Sequence, residues 1–526
     1  MRTDIESLWV FALASKCKSF ASINTLSFFL LLLLAYLFIN LIYWFHPGGP
    51  AWGRCRRWIS SKPIPGPKGL PILGSINLML GLAHHKISAA ASAYQAKRLM
   101  AFSFGETRAI VTCNPDVAKE ILNGSDFADR PMKESADILM FNRAIGFAPY
   151  GVYWRTLRKI AATHLFCPKQ IKASEDQRSE IVHQMVEMFH TRLGENIRVR
   201  DSLKLASLKN MMYSVFGRQY LHETTNELRM LVEEGYDLLG IVNWSDHFSW
   251  LADFDLQKVR LRCSSLVPKV NRFVTRIIEE HKAKPNQSHA GDFVDVLLNL
   301  QGTDKLSDSD MIAVLWEMIL RGTDTVAALT EWILARIILH PDVQSKIHNE
   351  LDNIIVGTSR AVTESDLTHM TYLPAVIKEV LRLHPPGPLL SWARMSIRDT
   401  TVDGYRVPKG TTAMVNMWAI TRDPEVWEEP LSFKPERFMT RSPVKTEPFS
   451  VLGSDLRLAP FGSGRRTCPG KTLGLSTVTF WVASLLHEFE FGGEVEGGKV
   501  DLSEVLRLSC EMANPLVVAL RPRRNG

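Results

Sequence analysis

Pro460-Phe-Gly-Ser-Gly-Arg-Arg-Thr-Cys-Pro-Gly470, close to the C-terminus, concentrates the chemistry of this chain. Glycines 462, 464 and 470 let the backbone turn tightly around Cys468, so that neighbouring N–H groups can point at the sulfur and stabilise a thiolate. A helix predicted to start near Pro469 adds a favourable dipole. Alone, Cys468 reads as an ordinary buried thiol. The spacing changes that reading: Phe461-x-x-Gly464-x-Arg466-x-Cys468-x-Gly470 fixes five positions, a pattern that average residue usage supplies at roughly one in ten million per starting position.

Upstream of this loop, Pro435-Glu-Arg-Phe438 follows Glu379-Val-Leu-Arg382, whose opposite charges lie three apart on one helix face and by themselves read as a surface ion pair. Further back, a long helical pattern runs from Ser307 to His340. Ser307-Asp-Ser-Asp310 caps its start, Pro341 stops it, and Arg321-Gly-Thr-Asp-Thr325 lies in its middle. Other helical patterns cover 154–165, 176–193, 222–240, 258–283, 342–355, 372–384 and 469–488. Strand-like pieces are few: 100–104, 108–112, 401–407, 411–416 and 515–521. The expected fold is mainly α with a small β portion, as one large domain without internal repeats.

The five-position motif resembles the signature of the cytochrome P450 superfamily. FAPYGVYWRTLRK, FADRP and KEVLRLHPPGPLL look like its plant microsomal class, and HPGGPAW and RGTDTV resemble the plant KLUH organ-growth subfamily. The resemblance runs from about residue 63 to the C-terminus and implies a cytochrome P450 fold with haem b. Cys468 would be the axial iron ligand, donating electrons that favour O–O cleavage, with Phe461 packed beside it. Arg466, Arg394, Trp154 and Arg158 would meet the haem propionates, the last two through Trp154-Arg-Thr-Leu-Arg158. Glu379, Arg382 and Arg437 would form a buried structural network. Gly322 would open space over the haem, and Asp324 and Thr325 would deliver protons to iron-bound dioxygen. Two positions depart from the family pattern: Arg321 stands where Ala or Gly is usual, and Val326 where a second Thr or Ser is common.

No complete Gly-x-Gly-x-x-Gly fingerprint occurs, so electrons must come from another protein. The family's source is NADPH through a separate cytochrome P450 reductase, for which Arg155, Lys159 and Arg465 are candidate docking residues. The net charge of +7 suits an anionic membrane surface or an acidic partner. Nucleic acid is not expected, because the basic residues are scattered and no nucleic-acid module is recognisable. Seven widely spaced cysteines without a Cys-x-x-Cys pair argue against a disulfide framework or a zinc site.

Leu26 to Phe45 carries no charge and is long enough to cross a bilayer as a helix. It is read as an anchor in preference to a cleaved signal peptide, since no small-residue cleavage site follows it. The expected organisation is an N-terminal segment 1–25, an anchor 26–45, a basic and proline-rich hinge 46–75 and a catalytic domain 76–526. Arg54, Arg56, Arg57, Lys62 and Lys68 follow the anchor, against Arg2, Lys16 and Lys18 before it, which is expected to place the body in the cytosol, and the resemblance to the microsomal class implies the endoplasmic reticulum membrane. The sequons at Asn123, Asn243 and Asn286 are then expected to stay unmodified.

The expected activity is insertion of one oxygen atom from O2 into an apolar small molecule. Met132, Met140, Phe141, Leu389, Leu390 and Met512 are expected around it. A fatty acid is the leading substrate, with a terpenoid or hormone-like molecule also compatible, and the subfamily resemblance links the product to plant organ or seed growth. The competing classes are a haem-thiolate isomerase or dehydratase, which would not need the Asp324-Thr325 pair, and a non-catalytic haem sensor, which would need no pocket chemistry.

Overall fold

Ser307 fixes the start of the longest buried element. Its hydroxyl accepts from the Asp310 N–H at 3.2 Å while the Asp310 carboxylate accepts from the Ser307 N–H at 3.3 Å, a reciprocal cap. The helix that follows, Asp308–Leu339, has 32 residues and a length of about 48 Å, and it crosses the body. It is buried on nearly every side, with Trp316 and Trp332 each 1% exposed. One apolar core joins it to the Val199–Phe216, Thr225–Gly240 and Val259–Ala283 helices, and a second joins it to Pro341–Ile354, Tyr372–Leu383 and Lys471–Glu488.

The computed structural model describes residues 21–54, 62–141, 143–221, 224–283, 292–355, 360–390, 393–439, 450–492 and 500–523. The largest sheet among them has four strands, in the order Met100–Phe104, Thr107–Thr112, Thr412–Val415, Arg394–Met395. The first two form a hairpin, and Thr107–Thr112 pairs in parallel with Thr412–Val415, Ala109 opposite Thr412. Two sequence expectations change here. The single strand expected over 401–407 is a hairpin, Thr400–Val402 with Tyr405–Val407, because Asp403 and Gly404 both adopt positive φ and reverse the chain. The Val199–Phe216 helix was not anticipated; it packs against several elements at once, which erases a one-sided apolar pattern.

At the N-terminus, the Ala21–Trp44 helix is apolar and stands clear of the body, with Phe28 to Phe38 largely exposed, a form that fits a membrane anchor. The chain after it is held against the sheet. Gly48 and Gly49 take positive φ, and a Cβ on Gly49 would lie 2.4 Å from the Lys68 carbonyl oxygen. The Ser103 hydroxyl donates to the Gly48 carbonyl at 2.6 Å and accepts from the Ala51 N–H at 3.0 Å, while the Trp52 indole donates to the Phe102 carbonyl at 3.1 Å. The proline-rich segment is likewise docked: the Ala101 N–H donates to the Pro65 carbonyl at 2.9 Å. Asn123 is exposed, Asn243 is buried and donates to Glu134, and Asn286 lies outside the described residues.

Candidate active site

The 460–470 loop is a tight fold around one sulfur. The Cys468 N–H donates to the Phe461 carbonyl at 3.0 Å, and Gly464 sits at φ +68°, where a Cβ would come within 2.1 Å of the Leu122 carbonyl oxygen. No other residue fits at Gly464 without moving the neighbouring helix. The helix beyond the loop begins at Lys471 with Gly470 as its cap, two residues later than expected. Cys468 faces a cavity. Burial pushes its thiol pKa up, while the charge of Arg321, the Gly470 N–H and the charge of Arg158 act in the opposite direction.

Four arginines converge on the same cavity, Arg394 and Arg466 buried and Arg130 and Arg158 half-buried. Arg466 donates to the carbonyls of Ala128 at 3.0 Å and Ala148 at 2.8 Å and stacks 4.3 Å from the Trp154 ring, with Arg158 5.8 Å from that ring. Arg394 donates to the Ser463 carbonyl at 2.9 Å, and Arg130 to the Ala393 carbonyl at 3.2 Å. Burial lowers the pKa of every one of the four; mutual repulsion adds to the effect at Arg130 and Arg394, bringing Arg394 to about 9, and Arg466 reaches about 10. Such a cluster calls for anions, and a planar group carrying two carboxylates, as haem does, fits it. The Trp154 indole N–H goes to the Ile145 carbonyl at 2.9 Å, so in this structure the tryptophan serves the arginines as a stacking platform.

The opposite wall is the central helix. Arg321, Gly322, Thr325 and Val326 line the cavity, and Gly322 also admits Met211, whose Sδ and Cε would lie 2.7 Å from a Cβ there. Asp324 is turned away. It is 5% exposed and pairs with Lys204 at 2.8 Å, and Lys204 in turn lies 3.7 Å from Glu511. Burial raises the Asp324 pKa even though Lys204 pulls it down. Thr325 and Asp324 are therefore sequence neighbours on different sides of the helix surface. Of the apolar residues expected around a substrate, Leu390 lines the cavity; Met132 is 77% exposed, and Met140 and Met512 belong to the packed cores.

Residues 64–507 match the family model described as Cytochrome P450. The chain belongs to the cytochrome P450 family. It is 64% identical over 100% of its length to Cytochrome P450 78A9 of Arabidopsis thaliana, covering 99% of that protein, and 64% identical to Cytochrome P450 78A3 of Glycine max, covering 99% of each chain. Flavonoid 3'-monooxygenase of Arabidopsis thaliana is 35% identical over 94% of this chain and 97% of that one. A solved zebrafish cytochrome P450 with abiraterone shares the fold at a TM-score of 0.70, covering 84% of this chain and 99% of its own, at 24% identity. The protein is a cytochrome P450 monooxygenase, whose family carries haem on a cysteine thiolate and takes electrons from a reductase.

In this P450 the three network residues come together. Both Arg382 contacts to the Glu379 carboxylate are 2.8 Å, Arg437 reaches the same carboxylate at 3.2 Å, and Glu379 and Arg382 are fully buried. The remaining Arg382 donors reach the carbonyls of Thr421 at 2.7 Å, Pro430 at 2.6 Å and Ser432 at 3.1 Å. On the surface, Arg155 and Arg465 flank one ring, Tyr150, whereas Lys159 pairs with Asp304 at 2.8 Å. Sequence reasoning missed Arg130, Glu317 and Lys204. Arg130 lies within the FADRP phrase, and Glu317 stands one helical turn before Arg321. No local signal marks Lys204.

Proposed function

We propose that this P450 inserts one oxygen atom into an apolar acid of the fatty-acid class, with Cys468 as the axial haem ligand. The observation that carries the reading is the convergence of Cys468, four arginines and Thr325 on one cavity. Arg130, Arg158, Arg394 and Arg466 would hold the haem carboxylates, and Phe461 would shield the sulfur from water. Bound there, the haem supplies activation of dioxygen at its iron. Thr325 presents a hydroxyl to the cavity and holds the proton nearest the reaction. Asp324, held by Lys204 where the Val199–Phe216 helix packs on the central helix, passes protons on when its side chain rotates toward Thr325. Gly322 leaves space over the haem, and Val326 gives this stretch of wall an apolar side chain that disfavours water.

Electrons arrive from a membrane-bound NADPH-dependent reductase docking where Arg155 and Arg465 flank Tyr150. The Ala21–Trp44 helix crosses the endoplasmic reticulum membrane once and leaves the body in the cytosol, as the basic residues after it favour. The likeness to the organ-growth subfamily makes the product a signal that promotes plant organ or seed growth. The test combines the full-length protein in vesicles with reductase, NADPH and isotopically labelled dioxygen, over a panel of fatty acids. One labelled oxygen per product, with no product when reductase is omitted, is the expected result. Turnover without NADPH, or oxygen drawn from water, would overturn it.

A further inference from the structure

Arg321 brings a positive charge to the wall that Gly322 and Thr325 also line, at the position where oxygen chemistry would take place. Its guanidinium contacts Glu317, one turn earlier, at 3.1 Å, and Glu317 is itself fixed by the Gly146 N–H at 2.7 Å. Glu317 is almost fully buried, while the Arg321 side chain keeps 31% exposure and faces the cavity, stacked 5.8 Å from the Phe147 ring. Glu317 is thus a brace that aims the cation inward.

The charges around the cavity point the same way. Arg130, Arg158, Arg321, Arg394 and Arg466 bring five positive charges. Glu317 and Asp129, which stands 3.6 Å from Arg466, bring two negative ones. The haem would add two carboxylates, and ferric iron, the porphyrin dianion and one thiolate cancel. One positive charge is left over in a low-dielectric site, which favours an anionic ligand. Four of the cations stand near the 460–470 loop and Trp154; Arg321 comes from the central helix and is near enough to Arg130 and Arg158 for its charge to act on both.

We infer that Arg321 binds the carboxylate of the substrate and so determines both its class and the position of oxidation. The inference rests on the monooxygenase reading above. Because Arg321 directly precedes Gly322 and stands one turn from Thr325, a carboxylate held there places the acid end of the chain beside the reacting oxygen. The apolar tail then lies against Met211, Met318 and Leu508. Oxidation falls on carbons near the carboxyl group and not at the far methyl end.

The experiment titrates dodecanoic acid and its methyl ester into the haem-loaded, full-length protein, following the haem spectral shift and binding calorimetry. The acid is expected to bind roughly tenfold or more tightly than the ester, as a charge-assisted hydrogen bond is worth. Arg321→Leu should abolish that preference while leaving ester affinity and haem retention on gel filtration unchanged, and Arg321→Lys should restore part of it. Equal affinities, or no binding by either ligand, would overturn the assignment. So would loss of haem in Arg321→Leu, which would make Arg321 a haem carboxylate partner. In each of these cases reductase-driven turnover of some other substrate would leave the monooxygenase reading standing, whereas its loss with all substrates would remove that reading as well.

Discussion

His384 shows how one residue's protonation is tied to the fold. Its ring stacks on Trp332 at 4.0 Å, Nε2 accepts from Arg336 at 2.9 Å, and Nδ1 faces Glu504 at 3.4 Å. Burial, with Arg336 and Arg422 close by, lowers its pKa to about 4. An unfolded histidine titrates near 6.5, so the unfolded chain takes the proton first. The stabilisation is complete above about pH 6.5 and is lost as pH falls toward 4, a cost of about 2 kcal/mol at pH 5 relative to pH 7. His384→Gln, which can keep an acceptor for Arg336 and a donor for Glu504, should shrink the fall in melting temperature between those two pH values. An unchanged fall would place the effect elsewhere. Cys468 was legible at this scale because its neighbours carry the motif. The orientation of Asp324 was not, because Lys204, on a separate helix, decides it.

Among the elements, the central helix was legible at both ends, since a capping box and a proline are local signals. The Val199–Phe216 helix, which holds Lys204, carries no such pattern because neighbours surround it. The short strand Ile197–Arg198 is set by a partner distant in sequence, Val517 and Val518, and Glu504–Leu506 and Cys510–Met512 form a hairpin of three-residue strands too short to show an alternating pattern. The tie between the Tyr372–Leu383 helix and the Pro435–Phe438 turn is the Glu379 carboxylate, whose loss leaves Arg382 and Arg437 facing each other without a counter-charge. Glu379→Gln should therefore destabilise the protein by about 3–5 kcal/mol, the cost of breaking one side of a buried ion pair. Denaturant unfolding would read this, and a change below about 1 kcal/mol would show the network to be dispensable.

At the scale of the whole molecule, exposed apolar side chains of the body lie near the end of the N-terminal apolar helix. Arg54, just past the anchor, lies 3.9 Å from Glu106, which also accepts from Ser249, and beside Ser249 stand the exposed side chains of Trp250, Phe254, Leu256 and Leu261. A chain begun at His46 should thus still sediment with anionic vesicles, and Trp250→Asp, Phe254→Asp and Leu261→Asp together should release it. A begun-at-His46 chain that stays in the supernatant would confine membrane binding to the anchor. The sequence revealed the apolar N-terminal helix by composition alone, while the docking of the His46–Trp52 stretch on the sheet depends on contacts with Phe102 and Ser103 that only folding brings together. The central claim, that Cys468 is the haem ligand, is tested most directly by the absorbance of the reduced, carbon-monoxide-bound protein beside its Cys468→Ala variant. A strongly red-shifted Soret band in the wild type, absent from the variant, is the expected result; a folded, haem-loaded wild type without that band would contradict it.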